Sequence, residues 1–219
     1  DVGKETGVKY IHIYVEDGLH DPIKKTIGPY RVDLESPEVQ VACDAIKQWK
    51  HQTTLTASIK DNQDGSKLKY TKVTWYRSDG TIGGISTKSY LENEFEDNVS
   101  IDISIPDKEY DDGIYAVIEV ADNADNITSL RVNNIYLDNT MPFVELSPPA
   151  ENYPNWINET IDTVLKVTKE SGSPIKEIQI AEVKDISETT DVPETEWNSI
   201  SIGNGKKIEY SNSKIGQDS

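Results

Sequence analysis

DGIYAVIEVADNADNITSLRVNNIYLDNTMP, residues 112–142, decides the fold, because residues 7–37, GVKYIHIYVEDGLHDPIKKTIGPYRVDLESP, carry the same pattern. Set 105 positions apart, Tyr10 falls on Tyr115, Ile13 on Ile118, Val15 on Val120 and Asp17 on Asp122. Further on, Asp33 meets Asp138, Pro37 meets Pro142 and Val39 meets Val144. Trp49 matches Trp156 once two residues are inserted, and Val73–Trp75 matches Ile178–Ile180 without them. A period near 105 exceeds a solenoid unit and suits one self-sufficient small domain.

The elements inside one period read as strands. Tyr10–Val15 and Ile114–Val120 are rich in β-branched and aromatic residues. Leu55–Ile59 and Val99–Ile105 alternate apolar and small polar residues, the mark of a sheet with one wet face. Asp61–Gly65, Ser78–Gly80, Gly83–Gly84, Asp111–Gly113, Ser171–Pro174 and Gly203–Gly205 read as turns. No 12-residue stretch combines 3.6 periodicity with helix caps. The expectation is all-β, as tandem sandwiches with about seven strands per unit: 38–42, 53–60, 69–77, 85–91, 98–105, 113–121 and 127–137. Trp75 is the expected core aromatic.

The chain has 219 residues with 39 acidic against 22 basic, a net charge of −17. That balance argues against nucleic acid, which requires cationic patches, and against an anionic membrane surface. No apolar run is long enough to span a bilayer as a helix. Cys43, the single cysteine, forms no internal disulfide and has no pattern that would activate it. His12, His20 and His51 lack metal-ligand spacing, and no nucleophile motif occurs. The expectation is therefore a protein that is not an enzyme.

Tyr136-Leu137-Asp138-Asn139-Thr140-Met141-Pro142, then Val144–Ser147 and Trp156-Ile157-Asn158, resembles the opening of bacterial immunoglobulin-like repeats. Ser171–Ile175 is similar to their turn into the third strand. Gly113-Ile114-Tyr115 followed by Val120–Thr128 resembles their sixth strand and its turn. Asp125 stands where that family usually has Gly, so the left-handed position there must be held by Asp or the turn built differently. The resemblance implies tandem immunoglobulin-like sandwiches on a secreted or cell-surface bacterial protein, acting as a stalk, spacer or adhesive arm.

In that phase, residues 1–32 hold the last two strands of one unit, 33–138 a complete unit, and 139–219 the first strands of another. Three readings follow: residues 8–32 of one chain complete 139–211 of another by strand addition, the chain is a piece of a longer array, or adjoining units are nicked and their halves stay associated; self-association or neighbouring repeats are the expected partners. Calcium is the one cofactor the residues suit: Asp122 and Asp125 offer oxygens in a turn, and Asp138 lies close in sequence. The Asp61–Gly65 loop fails the EF-hand spacing. Trp49 and Trp156 read as sandwich-end plugs rather than sugar platforms. Trp197, at the end of the acidic stretch Val183–Trp197, marks the place to seek a protein or glycan ligand. The rival reading is an accessory or carbohydrate-binding domain of a secreted bacterial enzyme.

Overall fold

The computed structural model describes residues 4–91, 94–147, 161–169, 171–181, 197–200 and 207–215. Every regular element among them is a β-strand. The chain divides into two compact units, Asp1–Ile105 with Asp111–Leu137, and Pro106–Tyr110 with Asp138–Ser219.

The first unit opens with a hairpin, β1 (Gly7–Val15) against β2 (Ile23–Val32). A β-sandwich follows: β3 (Glu38–Ala42), β4 (Trp49–Lys50), β5 (Gln52–Lys60), β6 (Leu68–Tyr76), β7 (Ile82–Ser89), β8 (Glu96–Ser104), β9 (Tyr110–Asp122) and β10 (Ile127–Asp138). One sheet has the order β3-β5-β8 and the other β4-β10-β9-β6-β7. β4 was not expected from the sequence: Trp49 and Lys50 pair in parallel with Tyr136 and Leu137.

Period-two alternation builds the core. On β5, Leu55, Ala57 and Ile59 point inward and are buried. They meet Val73 and Trp75 of β6, Ile103 of β8, Ile114, Ile118 and Val120 of β9, and Leu137 of β10 in one cluster. Each such large side chain contributes about 1.5–3 kcal/mol on burial. The intervening residues face water and pair across the β5–β8 ladder. Thr54 donates to Asp102 at 2.8 Å, Thr56 meets Ser100 at 3.0 Å and Ser58 donates to Asn98 at 2.6 Å.

Two turn expectations are corrected. Gly83 and Gly84 lie within β7, where the Trp75 indole rests against them and a Cβ at Gly84 would stand 2.6 Å from Trp75 Nε1. Glycine is there for close approach, not for a bend. Asp111–Gly113 lies within β9. Asp111 is buried and accepts the Ser78 amide at 3.1 Å and the Gly113 amide at 2.9 Å, so this acid ties the start of β9 to the β6–β7 turn.

The β1–β2 hairpin is unlike the sandwich: Tyr10, Ile13, Tyr14, Val15 and Tyr30 are all exposed. In the second unit, β11 (Phe143–Ser147), β12 (Ile161–Thr168) and β15 (Lys207–Ile215) form a three-stranded antiparallel sheet in that order. β13 (Ile178–Ile180) pairs with β14 (Asn198–Ile200). Trp156, Val183–Glu196 and Gly203–Gly205 lie outside the described residues.

Candidate metal centre

Three aspartates sit where strands of the first unit end. Asp33 follows β2, Asp61 follows β5 and Asp122 closes β9. A carboxylate oxygen from each lies within 4.8 Å of the others. Asp61 and Asp122 are buried, at 1% and 0% exposure, and Asp33 is half-buried.

Local turn chemistry aims these side chains. Asp122 Oδ1 accepts the amides of Ala124 at 2.8 Å and Asn126 at 2.9 Å, folding the turn back on its own acid. Asp125 holds the left-handed position with φ 65°, the place where the resembled family has Gly. Asn126 Nδ2 donates to Asp122 Oδ2 at 2.8 Å and to the Asp33 carbonyl at 3.2 Å, which ties the turn to the chain entering β3. Asp33 Oδ1 accepts the Glu35 amide at 3.2 Å and Asn62 Nδ2 at 3.3 Å, and Oδ2 accepts the Ser66 amide at 2.6 Å. Asp61 Oδ2 accepts the Lys67 amide at 2.6 Å. Asp61 Oδ1 and Asn62 Oδ1 are buried without a hydrogen-bond partner.

The electrostatics follow. Burial pushes the Asp61 carboxyl above the usual range, against the Lys67 and Asn62 amides, and the charges of Asp33 and Asp122 push it the same way. Burial also raises Asp33, but hydrogen bonds from Ser66, Glu35 and Asn62 outweigh it and bring the net value below the ordinary one. Gly65 sits where a Cβ would strike Asn62 Oδ1 and come within 2.9 Å of Asp61 Oδ2. Its absent side chain leaves these two oxygens their room.

Asp138 occupies a closely similar frame in the second unit. The amide two residues on, Thr140, donates to Oδ1 at 2.9 Å, as Glu35 does to Asp33. The amide of Ser173 donates to Oδ2 at 2.7 Å, as Ser66 does to Asp33. Gly172 precedes that serine as Gly65 precedes Ser66, and a Cβ on it would stand 2.5 Å from the Asp138 carboxyl carbon. The cation differs. Lys169 Nζ donates to Asp138 Oδ2 at 2.7 Å and to Ser173 Oγ at 2.9 Å, and both charged side chains are buried. The Asp138 carboxyl is held far below the usual carboxylate range: burial opposes ionisation, but the Lys169 ammonium and the Ser173 and Thr140 donors overcome it.

The predicted calcium trio is therefore redistributed. Only Asp122 joins a carboxylate cluster. Asp125 is exposed and its carboxylate pairs with Lys69. Asp138 is taken up by Lys169, Ser173 and Thr140. The sequence reading missed Asp33, Asp61 and Asn62. One signal was present, since Asp33 falls on Asp138 in the internal match, but Asp61 was weighed only as the first position of a local loop motif. Trp197 is exposed immediately before β14. Trp49 is half-buried, with its ring centroid 5.2 Å from that of Tyr136. Cys43 Sγ lies 3.5 Å from Thr53 Oγ1.

The fold defines an all-β sandwich protein. No family model matches the chain, and no curated protein sequence matches it. Among solved structures it is similar to the CARDB domain of a Pyrococcus furiosus protein, determined in complex with di-metal ions. That match has 18% identity, covers 48% of this chain and 93% of the domain, and has a TM-score of 0.29. It is also similar to a Ca2+-stabilized adhesin that helps an Antarctic bacterium bind ice. Here identity is 16%, coverage is 94% of this chain and 55% of the adhesin, and the TM-score is 0.33.

Proposed function

We propose that this chain is a non-catalytic structural module, a segment of tandem immunoglobulin-like sandwiches that spaces and presents other parts of an extracellular bacterial surface protein. The observation that carries the reading is the junction frame built twice, at Asp33 and at Asp138, 105 positions apart. In each, an aspartate at the end of a strand takes the amide two residues on and the amide of a Gly-Ser loop, and the chain passes through a proline into the first strand of a sheet. Force spectroscopy of the chain tests the reading. The sandwich from β3 to β10 is expected to yield one cooperative step of roughly 350 Å of contour length, about 100 residues at ~3.5 Å each. Gradual extension with no discrete step would sink the spacer reading.

The same reading covers the β1–β2 hairpin as the closing strands of another sandwich. Ile13 and Val15 are exposed, whereas Ile118 and Val120, 105 positions on, are buried in a core. Such a hairpin belongs against the opening strands of a unit, which β11 and β12 resemble, whether on a neighbouring repeat or a second copy. Concentration-dependent association at micromolar levels, with slowed amide exchange in β1 and β2, is the expected result. A monomer whose hairpin exchanges freely would overturn this part. The rival, a carbohydrate-binding accessory of a secreted enzyme, draws on exposed Trp197, and a glycan array with a Trp197→Ala variant separates the two.

A further inference from the structure

The second unit solves an electrostatic problem that the first leaves open. In both, a strand pairs antiparallel with the strand that follows the junction: Glu38 faces Lys60, and Phe143 faces Thr168. The next residue is Asp61 in one case and Lys169 in the other. The Gly-Ser loop then turns its serine amide onto the junction aspartate in both. At Asp138 the position delivers an ammonium. At Asp33 it delivers another carboxylate, and Asp122 adds a third within 4.8 Å.

Among the described residues the donors to these three acids are neutral: the amides of Glu35, Asn62, Ser66, Lys67, Ala124 and Asn126, the Ser66 hydroxyl, and the Nδ2 groups of Asn62 and Asn126. They orient the carboxylates without cancelling their charge. Among the described residues no ion pair includes Asp33, Asp61 or Asp122. Three carboxylates brought this close repel one another, and a cation among them relieves that repulsion. Asp61 is 1% exposed and one of its oxygens has no partner, and the buried Asn62 Oδ1 is likewise bare. The bare oxygens of Asp61 and Asn62, with the carboxylates of Asp33 and Asp122, form an all-oxygen donor set with no nitrogen or sulfur ligand, which suits a hard divalent cation. The donors come from three separate strand ends and a loop, an irregular set that fits the flexible coordination of Ca2+ better than the strict octahedron of Mg2+.

The geometry points to a Ca2+ site formed by Asp33, Asp61 and Asp122 with the amide oxygen of Asn62, the counterpart of the Lys169 ammonium beside Asp138. The ion cross-links the entry to β3, the end of β5 and the β9–β10 turn. One unit takes its cation from solution and the other carries it on its own chain. This inference is independent of the spacer reading, since an accessory domain could hold the same ion.

The test uses the whole chain, freed of metal with chelator. Calorimetric binding of CaCl2 should give one site per chain. The melting temperature should rise by roughly 10 °C at a hundredfold excess of Ca2+ over its Kd, with a smaller rise in MgCl2 at matched ionic strength. Asp61→Asn should abolish both the heat and the shift. Asp61→Lys should copy Lys169, raising the metal-free melting temperature and removing the calcium response. Asp125→Asn, at the exposed acid paired with Lys69, should keep the full response. No binding heat and no shift in the wild-type chain would overturn the site, as would an undiminished shift in Asp61→Asn. An equal response to Mg2+ would overturn the assignment to calcium. If Asp61→Lys does not fold, the wild-type titration and Asp61→Asn still decide.

Discussion

Asp33 and Asp138 sit in nearly the same hydrogen-bond frame yet meet opposite neighbours. Around Asp138 the fold closes its own charge balance with a buried lysine. Around Asp33 it concentrates negative charge. The frame is built by backbone amides on a carboxylate, and it is indifferent to how the charge is neutralised. One side chain, Asp61 or Lys169, makes the difference.

The largest effect should come from breaking the self-sufficient member of the pair. Lys169→Met leaves the Asp138 carboxylate buried without its cation and should cost about 3–5 kcal/mol. Equilibrium denaturation measures the loss, and faster amide exchange in β11 and β12 localises it to the second unit. Adding Asp138→Asn to that variant should recover much of the stability, because a buried pair replaced as a whole is far less costly than one split in half.

Next in size are the glycines that leave room for each pocket. Gly172 has φ 78°, and a Cβ there would press on the Asp138 carboxylate at 2.5–2.6 Å, so Gly172→Ala combines backbone strain with a clash and should cost about 2 kcal/mol or more. At Gly65 the left-handed strain is absent, and the closest contact, to Asn62 Oδ1, falls on the end of a neutral side chain that can shift, whereas Asp138 is pinned by Lys169, so Gly65→Ala should cost less. Chemical denaturation of the two variants ranks them, and the reverse order would break the comparison.

Acid should then act on the Asp138 frame in a defined direction. The folded carboxyl lies below its unfolded value, so the stability it contributes is fully present above about pH 5. It is lost as pH falls through the unfolded value, about 3.9, and on toward the folded one. Asp138→Asn should flatten this part of the pH–stability profile. The smallest effect sharpens the contrast from outside both pockets. Asp125→Asn removes an exposed ion pair with Lys69 and should change stability by less than about 1 kcal/mol.

Much of the strand pattern was legible in the sequence. Residues 38–42 were expected as a strand and form β3, and the alternation of Leu55–Ile59 became a buried stripe over a hydrogen-bonded polar face. These readings work because side-chain alternation along a strand is a local property. Gly83–Gly84 was misread because a glycine for a turn and a glycine under an indole look alike until the indole is placed. Asp111–Gly113 was misread because a buried acid serving a neighbouring turn looks like a solvated one.

The metal centre divides along the same line. Asp122 could be singled out because its turn is contiguous, whereas Asp33 and Asp61 lie 89 and 61 positions before it. By itself the sequence determined that the chain is built of strands, which of their faces are apolar, and that the pattern around Asp33 recurs around Asp138. Only the tertiary structure decided which strand ends meet, because hydrogen-bond register brings distant residues within a few ångströms. That meeting placed an acid beside Asp33 and a lysine beside Asp138, and so separated a pocket that calls for an external cation from one that holds its own.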